Sequence, residues 1–483
     1  MTAIRLPQSA RSCAVPLVID LDGTLVRTDL LHESAIKLAK TQPLLMLALP
    51  VWLAQGKAVL KRRIAERVEL DVHALPYNTA LLDWIRTERA TGRMIVLCTA
   101  SDQRFAHSVA QHLGVFDEVI ASDGVINVSA ARKAQRLVER FGDRGFDYAG
   151  NAADDMAVWQ KARHAIVVNA TDVLRRAAAE RATVERSFCY PKTGPKPWLR
   201  AMRLHQWMKN LLVLLPLAGA YKFDDWLLVQ QALLAFVAFG LCASSVYLLN
   251  DLTDLESDRA HPRKRMRPLA AGELSVPQGL LLALALLGGS VALAVTGRPA
   301  FMQWLGVYYL LTLAYSFSLK RRVIVDCLAL GGLFTLRVVA GCAAVGLPMS
   351  FWLLTFSLFL FLSLAFVKRF SELSQAAKLG RIDARGRGYL VTDLPLVQMM
   401  GVAAGFSAVL VLALYINGDT VTRSYTHPQG LWLTVPILLY WISRMWMQAQ
   451  RGNMHDDPLV FALCDRYSLA CGALFAASLW VAR

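Results

Sequence analysis

The pattern of hydrophobic and polar residues divides the chain into two regions. Up to about residue 197 the sequence is polar and mixed, and its short apolar runs end in polar residues. From about residue 211 onward, long apolar runs alternate with short polar loops. The pattern predicts a soluble domain followed by a membrane domain.

Short apolar runs in the first region have the length of buried strands. They cover residues 15–19, 93–98, 119–120 and 165–168, and helical patterns lie between them at residues 103–113 and 131–141. Strands that alternate with helices predict a parallel sheet with helices on both faces, which is an α/β Rossmann-like fold. In such a sheet, polar residues at the carboxyl ends of the strands form the site.

Residues 27–90 have a helical pattern and predict a small helical cap over this site. The apolar run at residues 44–53 is too short to cross a bilayer. Two interpretations of it stay open. It is a buried helix of the cap, or it touches the membrane surface so that the cap can receive a lipid-linked substrate.

Polar residues and prolines at residues 179–197 predict a linker. The linker separates a soluble domain at residues 1–178 from an all-α membrane domain at residues 198–483. Nine candidate spans follow the linker, at residues 207–220, 226–249, 279–295, 301–319, 323–344, 351–366, 396–416, 431–446 and 459–481.

The distribution of basic residues predicts the orientation of these spans. With the N-terminus in the cytoplasm, the inside loops and adjoining span ends carry seventeen Lys and Arg residues, including Arg385, and the outside loops carry three, including Arg423. This difference favours nine spans in a bacterial inner membrane, with the soluble domain on the cytoplasmic side. The polar start of the chain gives no sign of a signal peptide.

Composition supports a membrane protein. Only 18% of the residues are charged and 55% are hydrophobic, whereas a soluble protein carries about 25% charge. The formal net charge of +16 indicates an anionic membrane surface or a phosphorylated substrate rather than nucleic acid, because the basic residues concentrate between apolar spans. The eight cysteines, of which Cys13 is the first, show no paired spacing, so the sequence predicts neither a disulfide framework nor a zinc site.

The sequence Asp20-Leu-Asp22-Gly-Thr24 follows the first predicted strand. A carboxylate in this place can attack phosphorus to form an acyl phosphate. A second carboxylate two residues later can protonate the leaving oxygen and then activate water. Mg²⁺ is expected here because it would hold Asp20 and a phosphate together despite their like charge.

On the strength of this sequence, the region from about residue 14 to about residue 175 resembles the haloacid-dehalogenase superfamily of phosphatases. The resemblance implies that Asp20 and Asp22 are catalytic and bind the metal, and that Thr24 and Thr99 contact the phosphoryl group. It also implies that Lys133 offsets the charge of that group.

The sequence Gly150-Asn151-Ala-Ala-Asp154-Asp155 resembles the acidic loop that completes the metal site in this superfamily. Asn151 stands where the family usually has a metal-binding aspartate. An amide oxygen still binds Mg²⁺, and Asp155 or Asp154 would carry more of the role. The alternative is a degenerate domain that is retained for stability or docking.

A second acidic sequence, Asn250-Asp251-Leu-Thr-Asp254-Leu-Glu-Ser-Asp258, follows a long apolar run. Spacings of about four residues predict that these side chains share one helix face, where carboxylates can bind Mg²⁺ and its diphosphate. The basic run that comes next includes Arg265, which either binds phosphate oxygens or only belongs to a positively charged inside loop.

This acidic sequence among apolar spans resembles the UbiA superfamily of intramembrane prenyltransferases, over residues 198–483. Aromatic prenyltransferases of that superfamily have a second aspartate-rich sequence after the sixth span. Here the corresponding loop is basic, with its charged and hydrogen-bonding residues at Lys368, Arg369, Glu372, Arg385, Arg387 and Tyr389. A basic loop suits direct binding of phosphate by Lys and Arg.

Residues 203–210, residues 315–320 with Asp326, and the region of Asp457 and Asp465 resemble the decaprenyl-phosphate phosphoribosyltransferase branch of the superfamily. The resemblance implies Mg²⁺-dependent transfer of 5-phosphoribose from phosphoribosyl pyrophosphate to a polyprenyl phosphate. The candidates to bind the substrates are Lys209, Asn250, Arg265, Lys320, Lys368, Arg369, Glu372 and Arg387. Tyr389 is a candidate hydrogen-bond donor to either phosphate.

The two resemblances together favour a bifunctional enzyme whose soluble domain removes the 5-phosphate of the lipid-linked product. Two alternatives stay open. One is transfer of a prenyl group to an aromatic or quinone precursor, and the other is a transferase with a catalytically silent regulatory domain. A transporter is disfavoured because it would place charges in the middle of a span.

Overall fold

A computed structural model describes residues 15–189, 194–383, 387–418, 425–454 and 457–482. Cys13, Pro191, Arg385 and Arg423 therefore lie outside the described residues. The chain forms two compact units. The first contains Met1–Met202 and Leu248–Leu282, and the second contains Arg203–Tyr247 and Ala283–Arg483.

A parallel sheet of six strands organises the first unit, in the order β3-β2-β1-β4-β5-β6. The strands are β1 (Leu17–Ile19), β2 (Ile95–Asp102), β3 (Glu118–Ser122), β4 (Asp147–Gly150), β5 (Ala165–Val168) and β6 (Val184–Phe188). The central register pairs Val18 with Val96 on one side and with Tyr148 on the other. The chain reverses direction across the sheet between β1 and β4, where ligands bind in open α/β sheets.

Nine helices accompany these strands in the described part of the first 202 residues, besides short 3₁₀ turns. They are α1 (Leu30–Thr41), α2 (Leu49–Ala54), α3 (Lys57–Ala65), α4 (Thr79–Ala90), α5 (Gln103–Leu113), α6 (Ala130–Phe141), α7 (Met156–Trp159), α8 (Asp172–Arg181) and α9 (Lys196–Met202). The predicted α/β fold is confirmed. The helix predicted at residues 103–113 has these same bounds, and α6 begins one residue before its predicted start.

One segment differs from the prediction. Residues 184–188 form β6 at the edge of the sheet, although the polar sequence predicted a linker there. An edge strand is exposed on its free side, so three of its five residues are polar or charged and the apolar signal is lost. Helix α4 packs its Leu81 and Ile85 into the same core as Leu17 and Ile19 of β1, and Leu30 and Ala65 of the predicted cap belong to that core as well.

The second region consists of helices. They are α10 (Leu215–Gly219), α11 (Trp226–Thr253), α12 (Leu255–Arg259), α13 (Val276–Val295), α14 (Pro299–Phe317), α15 (Val325–Val345), α16 (Phe351–Lys378) and α17 (Leu394–Ile416), followed by Thr434–Gln450, Pro458–Cys464 and Arg466–Ala482. The same region contains the 3₁₀ helices Leu204–Leu214 and Pro428–Leu433.

Five helices in the described residues are long and apolar enough to cross a membrane, namely α11, α13, α15, α16 and α17 with its preceding turn. A sixth span results if the last two helices, which meet at 79°, count as one broken span. Nine spans are therefore not confirmed. The first candidate, at residues 207–220, is a 3₁₀ helix joined to a short α-helix, and Thr434–Gln450 has only 17 residues.

Candidate functional site

The ends of β1 and β4 bring the first predicted site together. Asp20 follows β1 and is buried, and Asn151 follows β4. Gly23 follows Asp22 directly in the chain and has a φ of +76°. A Cβ at this position would lie 2.1 Å from Nδ2 of Asn151. The glycine of the Asp20–Thr24 sequence is thus needed for both its backbone conformation and the close approach of the two loops.

Asp20 contacts two of the predicted partners. Its Oδ1 accepts a hydrogen bond of 2.8 Å from Nζ of Lys133, and its Oδ2 lies 3.3 Å from the hydroxyl of Thr24. The same hydroxyl lies 3.1 Å from Oδ1 of Asn151. The structure therefore brings four predicted residues into one buried cluster.

Lys133 also binds Tyr148, which the sequence analysis missed. Nζ of Lys133 donates to the Tyr148 hydroxyl at 2.8 Å, and that hydroxyl donates to Oδ1 of Asp155 at 2.8 Å. The other oxygen of Asp155 accepts from the backbone N–H groups of Asn151 and Ala152. These contacts give Asp155 the role of a positioning residue for Lys133 and the loop, and its binding of metal stays a prediction.

Asp22 is held by β2 and by the start of the cap. Its Oδ2 accepts from Ser101 at 2.6 Å and from Thr99 at 3.3 Å, and its Oδ1 accepts from the backbone N–H of Leu30 at 2.9 Å. Ser101 has the shorter contact of the two hydroxyls and was not predicted. The hydroxyl of Thr99 also accepts a bond from the Ser101 N–H. The contact of Thr99 with a phosphoryl group stays a prediction.

Burial dominates the electrostatics of the two aspartates. It raises the pKa of Asp20 to about 7, with a further contribution from Asp155 and with Lys133 acting in the opposite direction. Burial likewise raises the pKa of Asp22 to about 6, with a further contribution from Asp29. Asp22 thus keeps its proton more readily than a solvated aspartate, as a general acid requires.

The cluster around Thr24 fits Mg²⁺. Oxygens of Asp20 and Asn151 both lie within 3.3 Å of one hydroxyl, and that hydroxyl has a single hydrogen to donate. Within the part of the chain that the structure describes, the Thr24 hydroxyl can therefore serve only one of these two acceptors at a time. A cation bound by the carboxylate and amide oxygens would satisfy the other, and Mg²⁺ prefers oxygen ligands. The side chain of Asp22 makes the other contacts described above, so its own binding of metal stays a prediction.

Within the described residues, the three acidic or histidine side chains that come close enough to share a metal are Asp147, His164 and Glu185. Asp147 is fully buried and also accepts from Arg93 and from Arg163. With these arginines as partners, Asp147 is explained as the centre of an ion-pair network.

The second acidic sequence does not lie on one continuous helix. Helix α11 ends at Thr253, and α12 begins at Leu255. Asp251 and Asp258 both accept from Nη1 of Arg267, at 3.0 Å in the case of Asp251. The positively charged guanidinium of Arg267 lies between the carboxylates of Asp251 and Asp258. A metal cation bound by these two carboxylates would occupy a similar position. Burial raises the pKa of Asp258, and Arg267 acts against this effect.

Asp254 has a different partner. Its Oδ1 accepts a hydrogen bond of 2.7 Å from Nζ of Lys40 in the predicted cap, and the same ammonium binds the carbonyl oxygen of Thr253 at 2.7 Å. Asn250, which precedes these residues, accepts from the backbone N–H of Asp254 through its carbonyl oxygen, and Arg265 is exposed. The direct phosphate contacts predicted for Asn250 and Arg265 stay predictions.

Helix α1 contacts the acidic segment at two further points. Arg259 makes a bidentate contact to Glu33 with distances of 2.8 and 2.5 Å, and both side chains are buried. Lys37 binds both carboxylate oxygens of Glu256 at 2.8 Å. Three ion pairs thus join the cap to the segment that follows α11, all within the first unit.

The basic loop of the second unit forms a buried network around Asp326. The guanidinium of Arg369 is fully buried and binds Asp326 and Glu372. Tyr389 donates to the other oxygen of Asp326 at 2.7 Å. Arg387 binds the hydroxyl of Tyr315 at 3.1 Å. The positive charge of Arg369 is thereby neutralised, which supports a structural role for it and for Tyr389.

Lys209 and Lys368 line another site in the second unit. They border a cavity of about 20 Å³ together with Asp457 and several apolar side chains, and Lys209 forms an ion pair with Asp457. A cavity of this size holds no more than a water molecule. Lys320 lies in a short 3₁₀ turn after α14 and is half-buried.

Family models match both halves of the chain. The model described as the UbiA prenyltransferase family matches residues 211–470, and the model of haloacid dehalogenase-like hydrolases matches residues 17–158.

Three relatives show how far the similarity extends. An uncharacterized protein of Sinorhizobium fredii, y4nM, is 39% identical over 96% of this chain and 90% of its own length, so the fusion of the two domains also exists there. The nodulation protein NoeC of Azorhizobium caulinodans is 35% identical over 57% of this chain and 89% of its own. A decaprenyl-phosphate phosphoribosyltransferase of Mycobacterium tuberculosis is 33% identical over 56% of this chain and 88% of its own.

Proposed function

The chain belongs to the UbiA prenyltransferase family and carries a haloacid dehalogenase-like domain, and on this basis we propose that it is a bifunctional membrane enzyme. In this proposal the membrane domain transfers 5-phosphoribose from phosphoribosyl pyrophosphate to a polyprenyl phosphate. The N-terminal domain then hydrolyses the 5-phosphate of the lipid-linked product. The matched phosphoribosyltransferases support the first step.

One observation carries the coupling of the two activities. The cap over Asp22 is joined to the acidic segment by the pairs Glu33–Arg259, Lys37–Glu256 and Lys40–Asp254. A phosphatase that served only as a remote anchor would have no need of contacts with the residues proposed to bind the diphosphate. Tethering two catalysts also raises the effective concentration of the shared intermediate.

The transfer step needs negative charge to be neutralised as pyrophosphate leaves. An oxygen of the lipid phosphate attacks C1 of the ribose, the bond from C1 to the pyrophosphate oxygen breaks, and that oxygen keeps the electron pair. Asp251, Asp254 and Asp258 would hold Mg²⁺, which supplies positive charge to the leaving group. The basic side chains Lys209 and Lys368 are the candidates in this proposal to bind the lipid phosphate.

The hydrolytic step uses the buried cluster at the end of β1. A carboxylate oxygen of Asp20 attacks the 5-phosphate, and Asp22 gives its proton to the ribose oxygen as the bond from phosphorus to that oxygen breaks. Asp22 then takes a proton from water as the water oxygen attacks phosphorus. The bond from phosphorus to the Asp20 oxygen breaks, which releases phosphate and restores the Asp20 carboxylate. Lys133 offsets the charge of the phosphoryl group while Tyr148 and Asp155 hold its ammonium in place.

The test is a mass spectrum of the lipid formed when the full chain in detergent receives phosphoribosyl pyrophosphate, a polyprenyl phosphate and Mg²⁺. We expect a lipid that is heavier by ribose. The variant Asp20→Asn should accumulate the lipid that is heavier by phosphoribose, and Asp254→Asn should form neither product. If Asp20→Asn gives the same product as the unmodified chain, the proposed phosphatase step is wrong. If no new lipid forms, prenyl transfer to an aromatic acceptor becomes the better hypothesis.

A further inference from the structure

The cap segment Pro43–Ala54 is apolar on both of its faces. It consists of a 3₁₀ turn and the short helix α2, and none of its twelve residues is charged. Leu45, Leu49 and Trp52 face inward and pack in a cluster with Leu38 and Ile64 of the neighbouring helices. This inward face, with its helical spacing, fixes the segment to the cap.

The opposite face is exposed. Leu44 is 81% exposed and Leu47 is 80% exposed, and Val51 and Leu53 are at least half exposed. Leu44, Leu47 and Val51 lie three and four residues apart and therefore form one stripe. A surface helix of a soluble protein carries polar residues at such positions. An exposed stripe of large apolar side chains indicates that another apolar surface covers it.

The position of the segment identifies that surface. Lys40, three residues before Pro43, donates to the carbonyl oxygen of Thr253 at 2.7 Å. Thr253 is the last residue of α11, which has the length and hydropathy of a membrane span. The apolar stripe thus begins within a few residues of a contact to the end of a membrane span.

We propose that Pro43–Ala54 is an interfacial membrane element. Its exposed side chains Leu44, Leu47, Val51 and Leu53 lie at the boundary between lipid headgroups and acyl chains. As a helix its twelve residues would measure about 18 Å, too short for a hydrocarbon core of about 30 Å, so the segment lies along the surface. Lys57, at the start of the next helix, is exposed and suits anionic headgroups at this depth.

This arrangement determines where the cap meets its substrate. Helix α1, which precedes the segment, donates from Leu30 to Asp22. A cap attached to the bilayer would therefore hold the phosphatase site at the surface from which a lipid-linked phosphate extends. The membrane contact itself goes beyond the proposed function and does not depend on either proposed activity.

Photo-cross-linking tests the contact directly. The full chain carries benzoylphenylalanine in place of Leu47, is reconstituted into vesicles of phosphatidylglycerol and phosphatidylethanolamine, and is irradiated and analysed by mass spectrometry. Two matched positions serve as references. Leu284 in the span α13 is 58% exposed and should give lipid adducts, and Val173 in α8 is 79% exposed and should not.

We expect a yield of lipid adduct at residue 47 that approaches the yield at residue 284 and exceeds the yield at residue 173 several-fold. A yield at residue 47 equal to that at residue 173 would overturn the proposal, as would adducts mainly to a second copy of the chain. Replacement of the exposed Leu47 leaves the inward face unchanged, so the variant should keep its fold. A second variant, Leu44→Glu with Leu47→Glu, should lower the lipid-adduct yield from a label at residue 51, whereas Val173→Glu should not.

Discussion

The buried pair of Glu33 and Arg259 gives a quantitative test of how the cap is attached. The change Glu33→Gln keeps the shape of the side chain but leaves the Arg259 guanidinium buried without a counter-charge. Only 3% of the Glu33 side chain and 6% of the Arg259 side chain are exposed. Loss of one partner from such a pair costs about 3–5 kcal/mol. The lower value applies here because the other two pairs of α1 remain, and about 3 kcal/mol corresponds to about a hundredfold change in a local opening equilibrium.

Hydrogen–deuterium exchange of the full chain in detergent measures this opening. We expect exchange to become about a hundredfold faster in peptides that cover α1 and α12. The control is Glu66→Gln on the same cap. It removes one of the two acidic partners of Arg62, in an i,i+4 pair that is about one-third exposed, and leaves the contact of Arg62 with Asp102. Such pairs contribute about 0.3–0.5 kcal/mol, so the control should change exchange by about twofold. If Glu33→Gln exchanges no faster than the control in these peptides, the pair does not hold the cap on the acidic segment.

Three further changes probe the two sites. The pKa of Asp20 is raised to about 7 in the folded protein, so its contribution to stability is present below its unfolded pKa and is lost as pH rises through about 7. In EDTA the melting temperature of the N-terminal domain should fall as the pH rises from about 4 to about 7. Added Mg²⁺ or the change Asp20→Asn should remove the part of this fall that comes from Asp20. Lys40→Met should lower the Mg²⁺ concentration for half-maximal transfer, because the ammonium no longer competes for Asp254, whereas Lys37→Met should not. An unchanged or higher Mg²⁺ requirement would contradict this. Tyr148→Phe should lower kcat/KM for a soluble phosphoester by about 5- to 150-fold, because buried partners that lose their hydrogen bonds cost about 1–3 kcal/mol. Activity equal to the unmodified chain would show that the hydroxyl does not position Lys133.

The alternation of apolar runs and helical patterns was enough to predict the α/β fold of the N-terminal domain. Strands β1 and β5 and the first half of β2 are buried and apolar, so each is visible as a short run in the sequence. Strand β4 was not predicted, because its sequence Asp-Tyr-Ala-Gly has one polar residue that is buried by ion pairs and one aromatic whose hydroxyl is bound. A buried polar residue has no periodic signal, since its partners come from distant parts of the chain.

The same reason explains which site residues were missed. Asp20, Thr24, Lys133 and Asn151 lie in recognisable local sequences, and the structure brings them together. Tyr148 and Ser101 contribute through contacts with residues seven or more positions away, so their types and spacing gave no signal. Arg369 differs from these residues, because its guanidinium contacts Asp326 and Glu372. The phosphate binding that its basic sequence context indicated stays a prediction.

Helix α1 provides a physical connection between the two acidic sites. Its first N–H group binds Asp22, and its ammonium groups at the other end bind Glu256 and Asp254. The backbone rises by about 15 Å from Leu30 to Lys40 in an α-helix. This distance separates the residue that contacts Asp22 from the residue that contacts Asp254, and it is about half the thickness of a bilayer core. Helices move as rigid elements, and a cation that displaced Lys40 from Asp254 would act on the same helix that contacts Asp22, the general acid in our proposal. Under the proposed function, an enzyme that releases pyrophosphate at one site before it hydrolyses a phosphate at the other would gain from this arrangement, because a change at the first site would act on the second through a single helix.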